Sequence, residues 1–168
     1  MAKETKRAAT AEPAVDAIDL LTNDHQEVRG LFEQYDELAE SEADDAERQS
    51  LAEEICTMLS VHATIEEEIF YPAARDALDD DGLLNEAEVE HQSAKDLIAQ
   101  IQASDPGDSL YDAQVKVLGE YVNHHVEEEE GELFPQVREA GLDLEALGAE
   151  MSARQEELLT ASAEDESV

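Results

Sequence analysis

Four stretches of this chain carry apolar residues at helical spacing, and in each of them a histidine takes a place on the apolar stripe. Steps of three, four and seven put side chains on one face of an α-helix. The first stripe is Leu21, Val28, Phe32, Tyr35 and Leu38, and His25 falls four after Leu21 and three before Val28. The second is Leu51, Ile55, Met58, Ile65 and Ile69, with His62 four after Met58 and three before Ile65. In the third, Leu84, Ala87, Ala94, Leu97, Ile98 and Ile101, His91 lies four after Ala87 and three before Ala94. The fourth is Tyr111, Val115, Leu118 and Val122, and His125 follows Val122 by three. No stretch alternates with a period of two, so strands are not expected. Four such helices joined by short links predict an all-α fold, an antiparallel four-helix bundle.

The punctuation agrees with this division. Asp16 with Asp19 resembles a capping box ahead of the first stripe, and the small and acidic run Glu40 to Glu47 separates it from the second. Pro72 is expected to kink or end the second helix, and Pro135 to end the fourth. Asp79 to Gly82 and Asp105-Pro106-Gly107 are turn signals, and Ser109 with Asp112 is read as the cap of the fourth helix. Gly141 and Asp143 lead into a short fifth helix with Leu144, Leu147, Met151 and Leu158. At 168 residues the chain suits one domain, expected over 14–159, with a disordered arm over 1–13 and a disordered acidic tail over 160–168.

The inward histidines point to chemistry because two of them bring a carboxylate. Glu66 follows His62 by four, and Glu129 follows His125 by four, on the same helix faces. A buried glutamate anion is unfavourable unless it is paired or holds a cation. Four His and two Glu suit iron, manganese or zinc, and two carboxylates placed to bridge suggest two ions. On that reading His25 and His62 serve one ion, His91 and His125 the other, and Glu66 and Glu129 lie between them. The segments HATIEEEIFYP (62–72) and HVEEEEGELFP (125–135) repeat each other, with Glu at four and Pro at ten after the His. His124 competes with His125, since Glu128 follows it by four, but only His125 keeps the proline offset. Ferritin-like bundles carry Glu-x-x-His, the reverse order at a spacing of three.

Charge narrows the partners. Asp plus Glu number 45 against 10 Lys plus Arg, a formal net charge of −35, and Lys3, Lys6 and Arg7 sit at the very start. Such a field repels phosphates, so nucleic acid and anionic membranes are not expected partners. It also suggests a cytoplasm rich in screening salt. No apolar run is long enough for a membrane span or a signal peptide, which predicts a cytoplasmic protein. Cys56 is the only cysteine, so no thiolate cage and no intrachain disulfide are available.

At these residues the sequence resembles the hemerythrin-like HHE cation-binding domains, over about residues 16 to 158. The resemblance rests on Asp24-His25 with Arg29, the HATIEEEIFYP segment, Glu90-His91, the HHVEEEEGELFP segment and Gly141-Leu142-Asp143-Leu144. It implies a non-haem di-iron centre of two iron ions held by His25, His62, Glu66, His91, His125 and Glu129, and chemistry with O₂, NO or peroxide. Oxygen-carrying members have a His where this chain has Lys95, and an Asp five after the last His where this chain has Glu130. The likeness is therefore to the sensor or stress-type branch, with a peroxide-decomposing or ferrous-iron-oxidising oxidoreductase and an iron-sensing module with a protein partner as the alternatives. Glu67, Glu68, Glu127, Glu128 and Glu130 read as a solvated face, and Arg29 and Lys95 as side chains snorkelling to the acidic surface or pairing with a site carboxylate. The tyrosines read as packing, with Phe70 and Tyr71 walling the pocket, and Cys56 as a small buried residue.

Overall fold

The computed structural model describes residues 15–167, so the arm expected over 1–13 lies outside the described residues. Seven α-helices run through them: α1 (Ala17–Glu40), α2 (Asp45–Ile65), α3 (Tyr71–Ala77), α4 (Gly82–Ala103), α5 (Tyr111–Glu128), α6 (Phe134–Glu139) and α7 (Leu144–Asp165). No strand occurs among the described residues, and no helix there is long and apolar enough to cross a membrane. The Asp16 side chain accepts from the Asp19 N–H at 2.9 Å, so the expected cap of α1 forms. Asp44 caps α2 in the same way through Glu47, which starts that helix inside the acidic run rather than after it. At α5 the cap is not made: Leu110 precedes the helix without a side-chain bond, and Asp112 instead accepts from Tyr35 and Arg48.

The two prolines neither end nor break their helices. Each is preceded by one widened turn, Glu66–Phe70 and Glu129–Leu133, with π-type bonding from Tyr71 N–H to the Glu66 carbonyl and from Phe134 N–H to the Glu129 carbonyl. The wider turn places Pro72 and Pro135 at the start of a fresh helical segment, where a missing N–H removes no bond. Helix α2 therefore continues into α3, and α5 into α6.

The helices close around two apolar clusters. One gathers Leu21, Ile65, Phe70, Leu84, Leu133 and Phe134, and the other gathers Val28, Ile55, Ile98, Tyr111, Val115 and Leu118. Each histidine of the stripes stands between a residue of the first cluster and one of the second, as His25 does between Leu21 and Val28. A buried polar layer thus divides the core. The final helix, α7, is longer than expected and runs to Asp165, so residues 160–165 are helical where the sequence suggests a tail. It packs on α1 through Gly148, where an added Cβ would meet the Val15 carbonyl and lie 2.8 Å from the Ala17 nitrogen; only glycine permits this approach.

Candidate metal centre

The six expected residues, His25, His62, Glu66, His91, His125 and Glu129, are all buried and meet in one layer. The imidazoles form two pairs, nose to nose: His25 Nε2 is 3.2 Å from His62 Nε2, and His91 Nε2 is 3.1 Å from His125 Nε2. These are the pairs expected from the repeat. The carboxylates span them. Glu66 sets Oε1 3.0 Å from His62 Nε2 and Oε2 3.1 Å from His91 Nε2. Glu129 sets Oε2 3.3 Å from His25 Nε2 and Oε1 3.5 Å from His125 Nε2. The widened turns begin at Glu66 and Glu129, one turn after His62 and His125, and keep each His and Glu on the same inward face.

Every imidazole is held from behind by a carboxylate on another helix. His25 Nδ1 faces Glu130 Oε1 at 2.9 Å, His62 Nδ1 faces Asp24 Oδ2 at 3.0 Å, and His91 Nδ1 faces Glu67 Oε1 at 2.9 Å. His125 Nδ1 faces Glu90 Oε2 at 2.5 Å. A carboxylate can only accept, so each Nδ1 carries the proton, and each Nε2 turns a lone pair or a second proton toward the layer. Glu67 and Glu130 are therefore not members of a purely solvated face, and this corrects the reading of the acidic runs. Asp24 and Glu90 were not singled out as site residues either. One signal was available: all four adjoin a site residue in sequence, Asp24 and Glu90 before a His, Glu67 and Glu130 after a Glu, alike in both halves.

Tyr71 is the second addition. Its hydroxyl donates to Glu129 Oε1 at 2.6 Å and lies 3.2 Å from Glu66 Oε2, 3.2 Å from His91 Nε2 and 3.4 Å from His125 Nε2. It sits in the ligand layer itself, whereas Phe70 packs edge-on against Phe134, and neither of them lines the small cavity beside the layer, contrary to the expectation that they wall it. Phe134 in turn lies parallel to the His25 ring at 6.0 Å. His124 stays outside with a side chain 65% exposed, 3.4 Å from Glu128 and 3.6 Å from Glu90. Lys95 pairs with Glu67 at 2.7 Å, whereas Arg29 makes no ion pair among the described residues. Cys56 is buried, and burial pushes its thiol up to about 11.

The donor set fits a pair of cations. Glu66 Oε1 and Glu129 Oε2 are buried with no hydrogen-bond partner, although each lies against an imidazole nitrogen. Two Nε2 atoms in contact also cannot both offer lone pairs to each other. A shared proton or a metal ion satisfies each pair, and the two groupings His25-His62-Glu66-Glu129 and Glu66-His91-His125 have ligand atoms close enough for one ion apiece. Without an ion, burial works against the imidazolium at His62, but the Glu66 charge and the Asp24 bond outweigh it and hold the pKa up at about 10. Burial likewise opposes charge at His125, and Glu129 and Glu90 raise it to about 11. Glu66 is held well below the ordinary carboxylate range: burial raises it, and His62 and His91 pull it down further.

These directions carry a pH prediction. Near neutral pH the metal-free centre keeps protons on imidazole nitrogens that a cation needs, so loading expels them and apparent affinity rises with pH. Calorimetric titration with a divalent ion in two buffers of different ionisation heat is expected to show proton release. Equal heats in both buffers would contradict it.

Residues 16–137 match the family described as Hemerythrin HHE cation binding domain. A curated relative from Nostoc sp., named DNA nickase, is 33% identical over 120 residues, which is 71% of this chain but only 33% of that protein. The chain thus spans about a third of that relative's length. An uncharacterized protein of Mycobacterium tuberculosis is 26% identical over 147 residues, covering 86% of this chain and 88% of that one. The crystal structure of a hemerythrin HHE cation binding domain-containing protein from Mycobacterium kansasii superposes with a TM-score of 0.74 at 27% identity, over 89% of this chain and 90% of the other.

Proposed function

The chain belongs to the hemerythrin HHE cation-binding domain family, and from that premise we propose that its buried layer holds two iron ions and binds or senses O₂, NO or peroxide. His25 and His62 would hold one ion and His91 and His125 the other, with Glu66 and Glu129 reaching both. A bound iron pair would supply electrons and a coordination position for a small oxidant or diatomic molecule. The observation that carries the reading is a cavity of about 60 Å³ against the layer, lined by all four histidines and by apolar residues including Val28, Met58, Ile98 and Val122. A cavity so small and so apolar suits a small uncharged guest.

The remaining residues hold this arrangement in place. Asp24, Glu67, Glu90 and Glu130 fix the tautomer and direction of the four rings, and Phe134 backs His25. The acidic surface disfavours a phosphate backbone, so we propose no nucleic-acid partner and no membrane, and a cytoplasmic setting. The name of the Nostoc relative does not alter this, because the match covers only part of that protein.

One observation favours a second reading, an oxidoreductase that consumes peroxide. The Tyr71 hydroxyl holds a proton 2.6 Å from Glu129 and faces both halves of the layer, and its phenol is pushed well above its ordinary pKa, first by burial and then by the Glu66 and Glu129 charges. Such a group is placed to return a proton to the centre.

One experiment separates the outcomes. The metal-free protein is loaded with ferrous iron without oxygen, and O₂, NO and peroxide are then admitted singly while the absorption spectrum is recorded. Two irons per chain and a spectral change with one of these molecules are expected. Fewer than one iron per chain would overturn the di-iron reading. Sustained peroxide loss that disappears in Tyr71→Phe, with both irons retained, would favour turnover over sensing.

A further inference from the structure

The ligand layer repeats itself, but the charges behind it do not. In the repeat, Arg29 stands four after His25 as Lys95 stands four after His91. Lys95 reaches the carboxylate behind its own histidine: Nζ lies 2.7 Å from both oxygens of Glu67, and Glu67 Oε1 accepts from His91 Nδ1 at 2.9 Å. Arg29 makes no such contact, and Glu130 behind His25 has no Lys or Arg against it among the described residues. Behind His62, Asp24 receives only the neutral amide of Gln155, at 3.1 Å and 3.3 Å.

A carboxylate that accepts from Nδ1–H raises the basicity of Nε2 at the other side of the ring, and so strengthens it as a ligand. An ammonium ion across both oxygens of that carboxylate withdraws part of this effect. It also adds a positive charge on the side where a dication must sit. We propose that Lys95, through Glu67, makes the His91–His125 half of the centre the weaker cation position, so that the His25–His62 half fills first. This rests on reading the layer as a cation centre, and it concerns a positioning residue rather than a ligand.

The test uses Co²⁺, followed by its visible absorption without oxygen. His91→Ala leaves the His25–His62 half, and His62→Ala leaves the other; the first is expected to bind Co²⁺ about 10-fold more tightly than the second. Adding Lys95→Met, which keeps the length of the stem and removes the charge, is expected to tighten Co²⁺ about 10-fold in His62→Ala and to leave His91→Ala unchanged within about 3-fold, a gain on the scale of outer-ligand substitutions. Lys95→Arg should behave as Lys95. Because Lys95 is partly exposed, the gain should shrink in molar KCl, which a merely structural effect would not do. If a single-half variant fails to fold, the full two-site protein gives the same answer: Lys95→Met should tighten only the second binding step. Equal affinity of the two halves, or a gain from Lys95→Met in both, would overturn the inference and leave the metal centre standing. No Co²⁺ binding in the unaltered protein would remove the centre and this inference with it.

Discussion

Glu66→Ala is expected to abolish cation binding at both positions, whereas His62→Ala is expected to leave one. The difference follows from the reach of one side chain. Glu66 is fully buried and sends one oxygen to His62, at 3.0 Å, and the other to His91, at 3.1 Å, so it belongs to both halves. His62 lies in one half only and touches the other through Glu66 alone. Losing Glu66 also leaves up to four imidazoles facing each other around one carboxylate, which concentrates positive charge where a dication must enter. Metal per chain after anaerobic loading and desalting checks this: about none for Glu66→Ala, about one for His62→Ala, and about two for the unaltered protein. Affinity losses of more than about 100-fold are expected for Glu66→Ala, beyond the range typical of outer carboxylates. If Glu66→Ala retained one ion, the carboxylate would serve a single half and the bridging geometry would be wrong.

The second large effect is on stability. A net charge of −35 is spread over a single bundle whose cations are few, and most of those among the described residues are already engaged: Arg48 pairs with Asp112, Arg75 with Glu88, Lys95 with Glu67, Arg138 with Asp16 and Arg154 with Glu68. Most acidic side chains among the described residues therefore have no Lys or Arg against them, and the folded state holds them closer together than the unfolded chain does. Screening shortens the range of this repulsion from about 10 Å at 0.1 M salt to about 3 Å at 1 M. The melting temperature is expected to rise by ~10 °C from low to molar KCl, the shift that ~3 kcal/mol produces in a domain of this size. Chloride is the right salt, because sulfate would add a general stabilisation of apolar burial. A melting temperature indifferent to KCl would show that the acidic surface is not under electrostatic strain.

Much of the architecture was legible from local spacing. The apolar stripes gave the four long helices because residues three and four apart are neighbours on any α-helix, whatever surrounds it. The same rule put His25, His62, His91 and His125 inside the bundle and set Glu66 and Glu129 beside two of them. Pro72 is expected from sequence to kink or end its helix and Pro135 to end its own, but one widened turn ahead of each absorbs the missing N–H and lets the helix run on. Ser109 with Asp112 looked like a cap, but Asp112 is taken by Tyr35 and Arg48 from other helices.

The outer carboxylates mark the boundary of what spacing can say. Glu67 and Glu130 follow Glu66 and Glu129 alike in both halves, but that adjacency does not say which histidines they meet, 24 and 105 positions away respectively. Tyr71 has the same character: near the site in sequence, yet placed at its centre only by the widened turn that precedes it.

Periodicity along the chain thus determined which side chains face inward, because facing is a property of one helix. How those side chains meet was decided by the packing of helices against each other. The crossing of α1 with the Glu129 turn, and of α4 with the Glu66 turn, chooses the carboxylate for His25 and for His91, and brings two imidazole pairs nose to nose. Contacts of that kind depend on distances between separate helices, which no residue spacing encodes.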